Sequence, residues 1–359
     1  MNIGIPKERR PFEFRVGLTP AAVQMLVKNG HTCYVEHNAG EGAGFSDQEY
    51  GLAGARIVYT PHEVFGRADL LLKVARPTYE ELGWLRAGTT IMGLLHLTSS
   101  RRDKINVLLE KGVTAIPYEV ITLPDGSVPV RKPLSQIGGR LVAQISAHLL
   151  QNDAHGKGIL LGGNVGVPPA EVVIIGAGIT GTSATRAFVG MGAHVSVLDT
   201  SFEALQRIYD EFPGVVTWFA NDHNLSRAIS YADVVVACIL VPNDRPPTII
   251  TRGMIRTMRP RSLLMDVSID EGGCVETSRP TTHDIPTFVE EGIVHYCVPN
   301  IPSVVARTST YAFLNAAFPF ILEIANKGVE QAIKDNPAIE SGTVIYKGEE
   351  RRLARIKAN

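Results

Sequence analysis

The feature that most restricts the fold is a glycine turn set between a strand and a helix. Val172-Val173-Ile174-Ile175 is an uninterrupted apolar, β-branched run, and Gly176-Ala177-Gly178-Ile179-Thr180-Gly181 follows it directly. Such a run reads as a strand buried on both faces, which a parallel sheet covered by helices provides. Residues 182–191 then carry a helix-compatible pattern, and the next strand, 194–198, ends in Asp199. Three glycines at this spacing are a weak signal alone. Between a strand and a helix they let backbone amides at the helix amino terminus face a pyrophosphate. An acid about twenty residues further on accepts hydrogen bonds from the ribose hydroxyls. The expected ligand is therefore a dinucleotide, and a carboxylate at position 199 favours NAD(H) over the extra phosphate of NADP(H). Gly176, Gly178, Ile179, Thr180, Gly181 and Asp199 are the cofactor-binding candidates; the alternative is a structural strand–turn–helix without a ligand.

Further strands are predicted at 234–238 and 263–267, separated by helix-length segments as a doubly wound sheet requires. Leu240, near the end of the apolar run 234–241, joins the cofactor-binding candidates. Upstream, residues 2–127 alternate helix-like stretches (21–29, 47–53, 79–85) with strands (33–36, 70–74, 90–97), a second series of βα units. A long helical stretch at 134–151 and a Gly/Pro-rich segment at 156–169 separate the two series. With 359 residues to place, the chain reads as α/β with two Rossmann-like domains built on doubly wound parallel sheets. After an apolar helix at 311–326, the charged segment 347–359 reads as a solvated tail.

Composition narrows the function classes. Hydrophobic residues at 45% against 20% charged describe a folding chain. A formal net charge of -1 with no basic block argues against nucleic-acid or anionic-membrane partners and for small-molecule chemistry. Cys33, Cys238, Cys274 and Cys297 are far apart with no CxxC pair, so free thiols are expected rather than disulfides or a metal site. Residues 1–10 lack an apolar signal core, and the longest apolar run, 234–241, is too short to span a bilayer. A soluble, cytoplasmic protein is expected.

Other segments carry a resemblance. Gly4-Ile5-Pro6-Lys7-Glu8, Phe14-Arg15-Val16, Asn38-Ala39-Gly40-Glu41-Gly42, His96-Leu97, Asp270-Glu271-Gly272-Gly273-Cys274, Ser278-Arg279-Pro280-Thr281-Thr282 and Arg307-Thr308-Ser309-Thr310-Tyr311 occur in a fixed order. The chain resembles the alanine dehydrogenases, within the alanine dehydrogenase and transhydrogenase alpha-subunit family, nearly end to end. The resemblance implies a discontinuous substrate domain, 1–129 with 308–359, around an inserted NAD domain, 130–307. It also implies an active site in the interdomain cleft and a homohexamer.

The resemblance assigns roles that position alone leaves open. His96 follows an apolar strand, where a ligand crevice or a satisfied core histidine fits equally well. In the family this histidine hydrogen-bonds the substrate oxygen and handles its proton, which suits an imidazole titrating near neutrality. Asp270, expected to close a strand before Gly272-Gly273, is a turn or capping aspartate by position and the catalytic carboxylate near the substrate amine by resemblance. Arg15, expected near the start of the first helix, is implied to bind the substrate carboxylate through two parallel hydrogen bonds. Ser135 and Asn300 resemble nicotinamide-side residues; Ser135 fits a helix cap equally well, and Gln136, Pro299 and Ile301 depart from the family pattern.

The main departure lies in Lys73-Val74-Ala75-Arg76-Pro77. Alanine dehydrogenases carry Lys-Val-Lys-Glu-Pro there, and the second lysine helps hold the pyruvate carboxylate. Here that position is Ala75, and a methyl group supplies neither charge nor a donor. Lys73, Arg76 and Lys132 are retained as substrate-binding candidates, with Arg131 beside them; ordinary solvated charges are the alternative. Three functions remain in view. The leading one is an NAD(H)-dependent amino-acid dehydrogenase that joins ammonia or an amine to a 2-oxo acid other than pyruvate, one that is longer or more anionic, and the others are a 2-oxo acid reductase without amination and an NAD-binding homologue impaired in catalysis.

Overall fold

In the computed structural model, which describes residues 1–241 and 244–353, the chain divides into two units: Met1–Leu134 with Ser303 onward, and Ser135–Pro302. In the first unit the order is β1 (Asn2–Ile5), α1 (Pro20–Lys28), β2 (Thr32–Glu36), α2 (Asp47–Leu52), β3 (Arg56–Val58) and α3 (Pro61–Arg67). It continues through β4 (Leu70–Ala75), α4 (Tyr79–Trp84), β5 (Thr90–Leu94), α5 (Arg102–Glu110) and β6 (Thr114–Pro117). The long helix α6 (Arg131–Leu149) carries the chain past the unit boundary. The second unit then holds β7 (Glu171–Ile175), α7 (Ile179–Gly190), β8 (His194–Asp199), α8 (Phe202–Glu211), β9 (Val216–Phe219) and α9 (Asp222–Tyr231). Its remaining elements are β10 (Val234–Ala237), α10 (Arg252–Ile255), β11 (Leu263–Asp266), β12 (Thr287–Glu290) and β13 (Ile293–Tyr296). Back in the first unit come α11 (Ala306–Lys327), α12 (Val329–Asp335), α13 (Pro337–Gly342), β14 (Ile345–Tyr346) and β15 (Glu349–Glu350).

The parallel cores of the two sheets share one strand order. The first runs β15-β14-β6-β5-β4-β1-β2-β3 and the second β12-β13-β11-β10-β7-β8-β9. Each contains a parallel doubly wound core whose order reverses once, between β1 and β4 in the first unit and between β7 and β10 in the second. Ligands of such sheets bind at the carboxyl ends of the strands beside that reversal. The expected two Rossmann-like domains are therefore present, with antiparallel strands added at β12, β14 and β15.

Strand β4 shows why the sheets are buried on both faces. Leu70, Leu72 and Val74 join one core with α11 residues Phe313, Leu314 and Ala317, while Leu71 joins the other with Val64, Phe65 and Ile91. The carboxyl-terminal helix thus completes the core that the amino-terminal strands begin. Helix starts follow local chemistry: Thr19 caps α1 with Pro20 inside it, and Ser46 and Thr78 form capping boxes with Glu49 and Glu81.

The segment expected as a tail is in part structural. Tyr346 pairs with Glu349 across a hairpin, Lys347 N–H donates to Thr114 Oγ1 at 3.1 Å, and Gly348 N–H donates to the Val113 carbonyl at 3.0 Å. The charges conceal a strand because only Ile345 needs a buried side chain there. Residues 354–359 of that expectation lie outside the described residues.

Candidate active site

In the second unit each motif glycine meets a different demand. Gly176 has φ +106, and a Cβ on it would lie 2.7 Å from the Cys238 carbonyl oxygen. A Cβ on Gly181 would lie 1.8 Å from the Gly176 oxygen, so α7 packs on the turn only because that atom is absent. Gly178 has open space at the same position, which lets an external group approach its backbone. It also supplies no side-chain cap to α7, and the amides of that helix start are oriented for an anion. The Asp199 carboxylate accepts from Ala177 N–H at 2.6 Å and from Ser201 N–H at 2.8 Å. A carboxylate offers about four lone-pair sites, so it can fix the turn and still receive ribose hydroxyls. Ile179 is exposed and Thr180 half-buried in the first turn of α7; Leu240 is exposed after β10, and Ser135 is half-buried on α6. Burial pushes the Cys238 thiol up to about 12, so it lies beside the turn as a neutral group.

The sequence reading places Asp270 at the close of a strand, but the residue closes none. β11 ends at Asp266, and Asp270 lies exposed on a 3-10 turn, Val267–Glu271. Asp266 makes that turn by accepting from Ser268 and Cys274 N–H at 3.1 Å each. The chain leaves β-geometry early because a buried carboxylate collects these amides. Asn300, at φ 56, donates its N–H to both Asp270 carboxylate oxygens at 3.1 Å, so these two sequence candidates are brought together.

In the first unit β5 ends at Leu94, and His96 precedes a 3-10 turn, Leu97–Ser99, rather than a regular helix. His96 has φ 42 and ψ 48, a left-handed conformation uncommon outside glycine and often found where function demands it. The backbone is held on both sides. Its N–H donates to Glu119 Oε1 at 2.6 Å, and its carbonyl accepts from Ser99 Oγ at 3.1 Å and Ser100 Oγ at 3.2 Å. Glu119, just beyond β6, was missed from the sequence, although it satisfies the strand-end criterion that singled out His96.

Arg15 lies before α1 rather than in it, and it is only 3% exposed. Its Nε and Nη2 donate to Glu13 at 2.7 and 2.6 Å, a bidentate pair set by the Glu13-Phe14-Arg15 spacing. The segment beyond it lies against β4, where a Cβ on Gly17 would come within 2.2 Å of the Leu72 carbonyl oxygen.

Lys73 corrects another expectation. Its side chain is fully buried, and Nζ donates to Glu81 Oε1 at 2.6 Å and Glu8 Oε2 at 3.1 Å. Burial pulls its pKa down, but the charges and hydrogen bonds of Glu8 and Glu81 outweigh that and raise it. For Glu8 burial wins over the pull of Lys73, and the carboxyl is raised. Lys73 therefore ties β4 to α4 and to the segment after β1 instead of meeting substrate. Ala75 ends β4, half-buried; Arg76 follows and donates Nη1 to Ser99 Oγ at 3.2 Å, beside His96. Lys132 is exposed in the first turn of α6, and Arg131 before it is half-buried.

Known proteins account for nearly the whole chain. The models of the N-terminal and C-terminal domains of alanine dehydrogenase/PNT match residues 4–138 and 142–352. The chain belongs to the alanine dehydrogenase/PNT family. Within it, the chain is 43% identical to the alanine dehydrogenase of Methanococcus maripaludis, covering 100% of this chain and 96% of the relative. To that of Mycobacterium tuberculosis it is 42% identical, over 97% of this chain and 94% of the relative. A solved L-alanine dehydrogenase superposes with a TM-score of 0.93 at 38% identity, covering 98% of this chain and 96% of that one. A transhydrogenase from Sinorhizobium meliloti, at 22% identity and a TM-score of 0.82, shares the fold. No helix among the described residues is long and apolar enough to cross a membrane.

Proposed function

We propose that this member of the alanine dehydrogenase/PNT family is an NAD(H)-dependent amino-acid dehydrogenase that interconverts an L-amino acid with a 2-oxo acid and ammonia or an amine. The observation that carries this reading is His96, held in a left-handed turn at a strand end on a chain 43% identical to an alanine dehydrogenase. NAD(H) would be held by the Gly176–Gly181 turn, the amides of α7, Asp199 and Leu240, with Ser135 and Asn300 toward the nicotinamide. When bound, it supplies or accepts the hydride.

The chain's own groups manage charge and protons. Arg15, whose guanidinium is oriented by Glu13, binds the substrate 1-carboxylate through parallel hydrogen bonds. His96 hydrogen-bonds the 2-oxo oxygen and gives it a proton as water leaves the carbinolamine. The Asp270 carboxylate stabilises the cationic imine that accepts the hydride, and in the reverse direction it receives a proton from the attacking water. Arg76 and Lys132 provide positive charge in place of a lysine at Ala75. The assembly is a cytoplasmic homo-oligomer, a hexamer by resemblance.

The test is NADH oxidation across a panel of 2-oxo acids with and without ammonia. Turnover that requires ammonia supports the reading. Equal turnover without ammonia assigns a 2-oxo acid reductase instead, and NADH binding without turnover assigns an impaired homologue. An Ala75→Lys variant should gain activity with pyruvate; no gain removes position 75 as the determinant of substrate choice.

A further inference from the structure

A histidine that handles protons is ordinarily oriented by a hydrogen bond at the ring nitrogen turned away from its substrate. Among the described residues the His96 imidazole makes no hydrogen bond; the bonds of this residue are all made by its backbone. The direction of the ring therefore depends on the left-handed backbone at φ 42 and ψ 48. A residue with a side chain occupies that region at a cost and stays there only where its surroundings over-determine it.

The restraint on the amino side is Glu119. Strands β5 and β6 are parallel neighbours, with Gly93 opposite Pro117, and each runs into a 3-10 turn, Leu97–Ser99 after β5 and Tyr118–Val120 after β6. Tyr118 is fully buried, its ring 6.1 Å from that of Phe313 on α11. Thr122 N–H donates to Ser341 Oγ on α13 at 3.0 Å. The carboxyl-terminal helices thus pin the chain on both sides of Glu119, whose Oε1 accepts the His96 N–H at 2.6 Å.

This carboxylate differs from the others buried in the same unit. Glu8, Glu13, Glu36 and Glu81 each accept on both oxygens, from lysine, arginine or backbone N–H donors. Among the described residues Glu119 makes a single hydrogen bond, to His96, and its Oε2 is buried without a partner. A buried oxygen left unsatisfied costs stability, so an acid kept for stability alone would be a poor choice here. What an apolar replacement would lose is the hold on His96.

We propose that Glu119 is a positioning residue for the reaction: one charge-assisted hydrogen bond fixes the left-handed backbone of His96 and so aims its imidazole at the substrate oxygen. The inference rests on the dehydrogenase reading, in which His96 handles the proton of that oxygen.

The experiment measures kcat and KM with ammonia, NADH and the 2-oxo acid turned over fastest, in Glu119→Ala, Glu119→Gln, His96→Gln and the double variant Glu119→Ala with His96→Gln. Glu119→Ala should lower kcat by about tenfold to a hundredfold, the worth of one hydrogen bond to a charged group, while KM for NADH stays within about twofold. Glu119→Gln keeps an acceptor for the His96 N–H and should recover about half of that loss on a logarithmic scale, because a neutral bond is about half as strong. On the His96→Gln background the Glu119→Ala change should alter the residual kcat by less than about twofold, whereas a merely structural role gives the same loss on both backgrounds. Unchanged kcat in Glu119→Ala, no recovery in Glu119→Gln, or equal losses on the two backgrounds overturns the proposal. If no 2-oxo acid drives NADH oxidation, the dehydrogenase reading fails, and crystal structures of the two single Glu119 variants decide the positioning role. His96 leaving the left-handed region in Glu119→Ala and keeping it in Glu119→Gln upholds that role, and any other pattern overturns it.

Discussion

Replacing Lys73 by Met should cost the first unit about 3–5 kcal/mol at pH 8, because it removes the cation from a buried ion cluster and leaves its carboxylates behind. The side chains of Lys73, Glu8 and Glu81 are 0%, 2% and 1% exposed, so water does not replace the lost partner. Met nearly conserves volume, and the cavity contribution stays small. Arg9 still lies 4.0 Å from Glu81, so the penalty falls mainly on Glu8. The Glu8 carboxyl is already raised by burial, and losing the Lys73 charge raises it further. A carboxyl whose folded pKa exceeds its unfolded value is favourable below the unfolded value, and that contribution disappears as pH rises through the folded one. The destabilisation should therefore be smaller at pH 5, where Glu8 can take a proton, than at pH 8. Urea unfolding at both pH values reads this directly, and the first thermal transition should fall by roughly 6–20 °C. Adding Glu8→Gln should recover much of the loss at pH 8. A loss below about 1 kcal/mol, the range of an exposed pair, or a loss independent of pH, would refute the assignment of Lys73 as a buried structural ion.

Three further outcomes are expected. Gly181→Ala forces the Gly176 carbonyl or α7 to move and should cost about 1–3 kcal/mol of stability, with weaker NADH binding followed by fluorescence titration. Asp199→Ala removes the acceptor of two backbone N–H groups and the ribose contact, so NADH affinity should fall by about tenfold or more; unchanged affinity would remove it from the site. His96→Gln should lower kcat by about a hundredfold to ten-thousandfold while NADH still binds, as checked by steady-state assay and titration.

How much the sequence disclosed depended on how local each feature was. The Gly176–Gly181 turn was legible because a strand, a phosphate turn and a helix are contiguous, and each glycine answers a steric demand within a few residues. His96 was legible as a strand-end residue, but its left-handed backbone depends on Glu119, which arrives from the end of another strand. Lys73 was misplaced for the same reason. Its carboxylates come from residues 8 and 81, and nothing in the Lys73-Val74-Ala75 segment announces that they will enclose it. The end of β11 was set late because Asp266 reads as an ordinary strand residue until it gathers the amides of Ser268 and Cys274.

The central claim is that nitrogen enters the product on this protein. Incubating the enzyme with NADH, 15N-ammonium and the best 2-oxo acid, followed by mass spectrometry, tests it most directly. The account predicts an L-amino acid carrying the heavy isotope, formed in step with NADH oxidation. NADH consumed with formation of an unlabelled 2-hydroxy acid would contradict it.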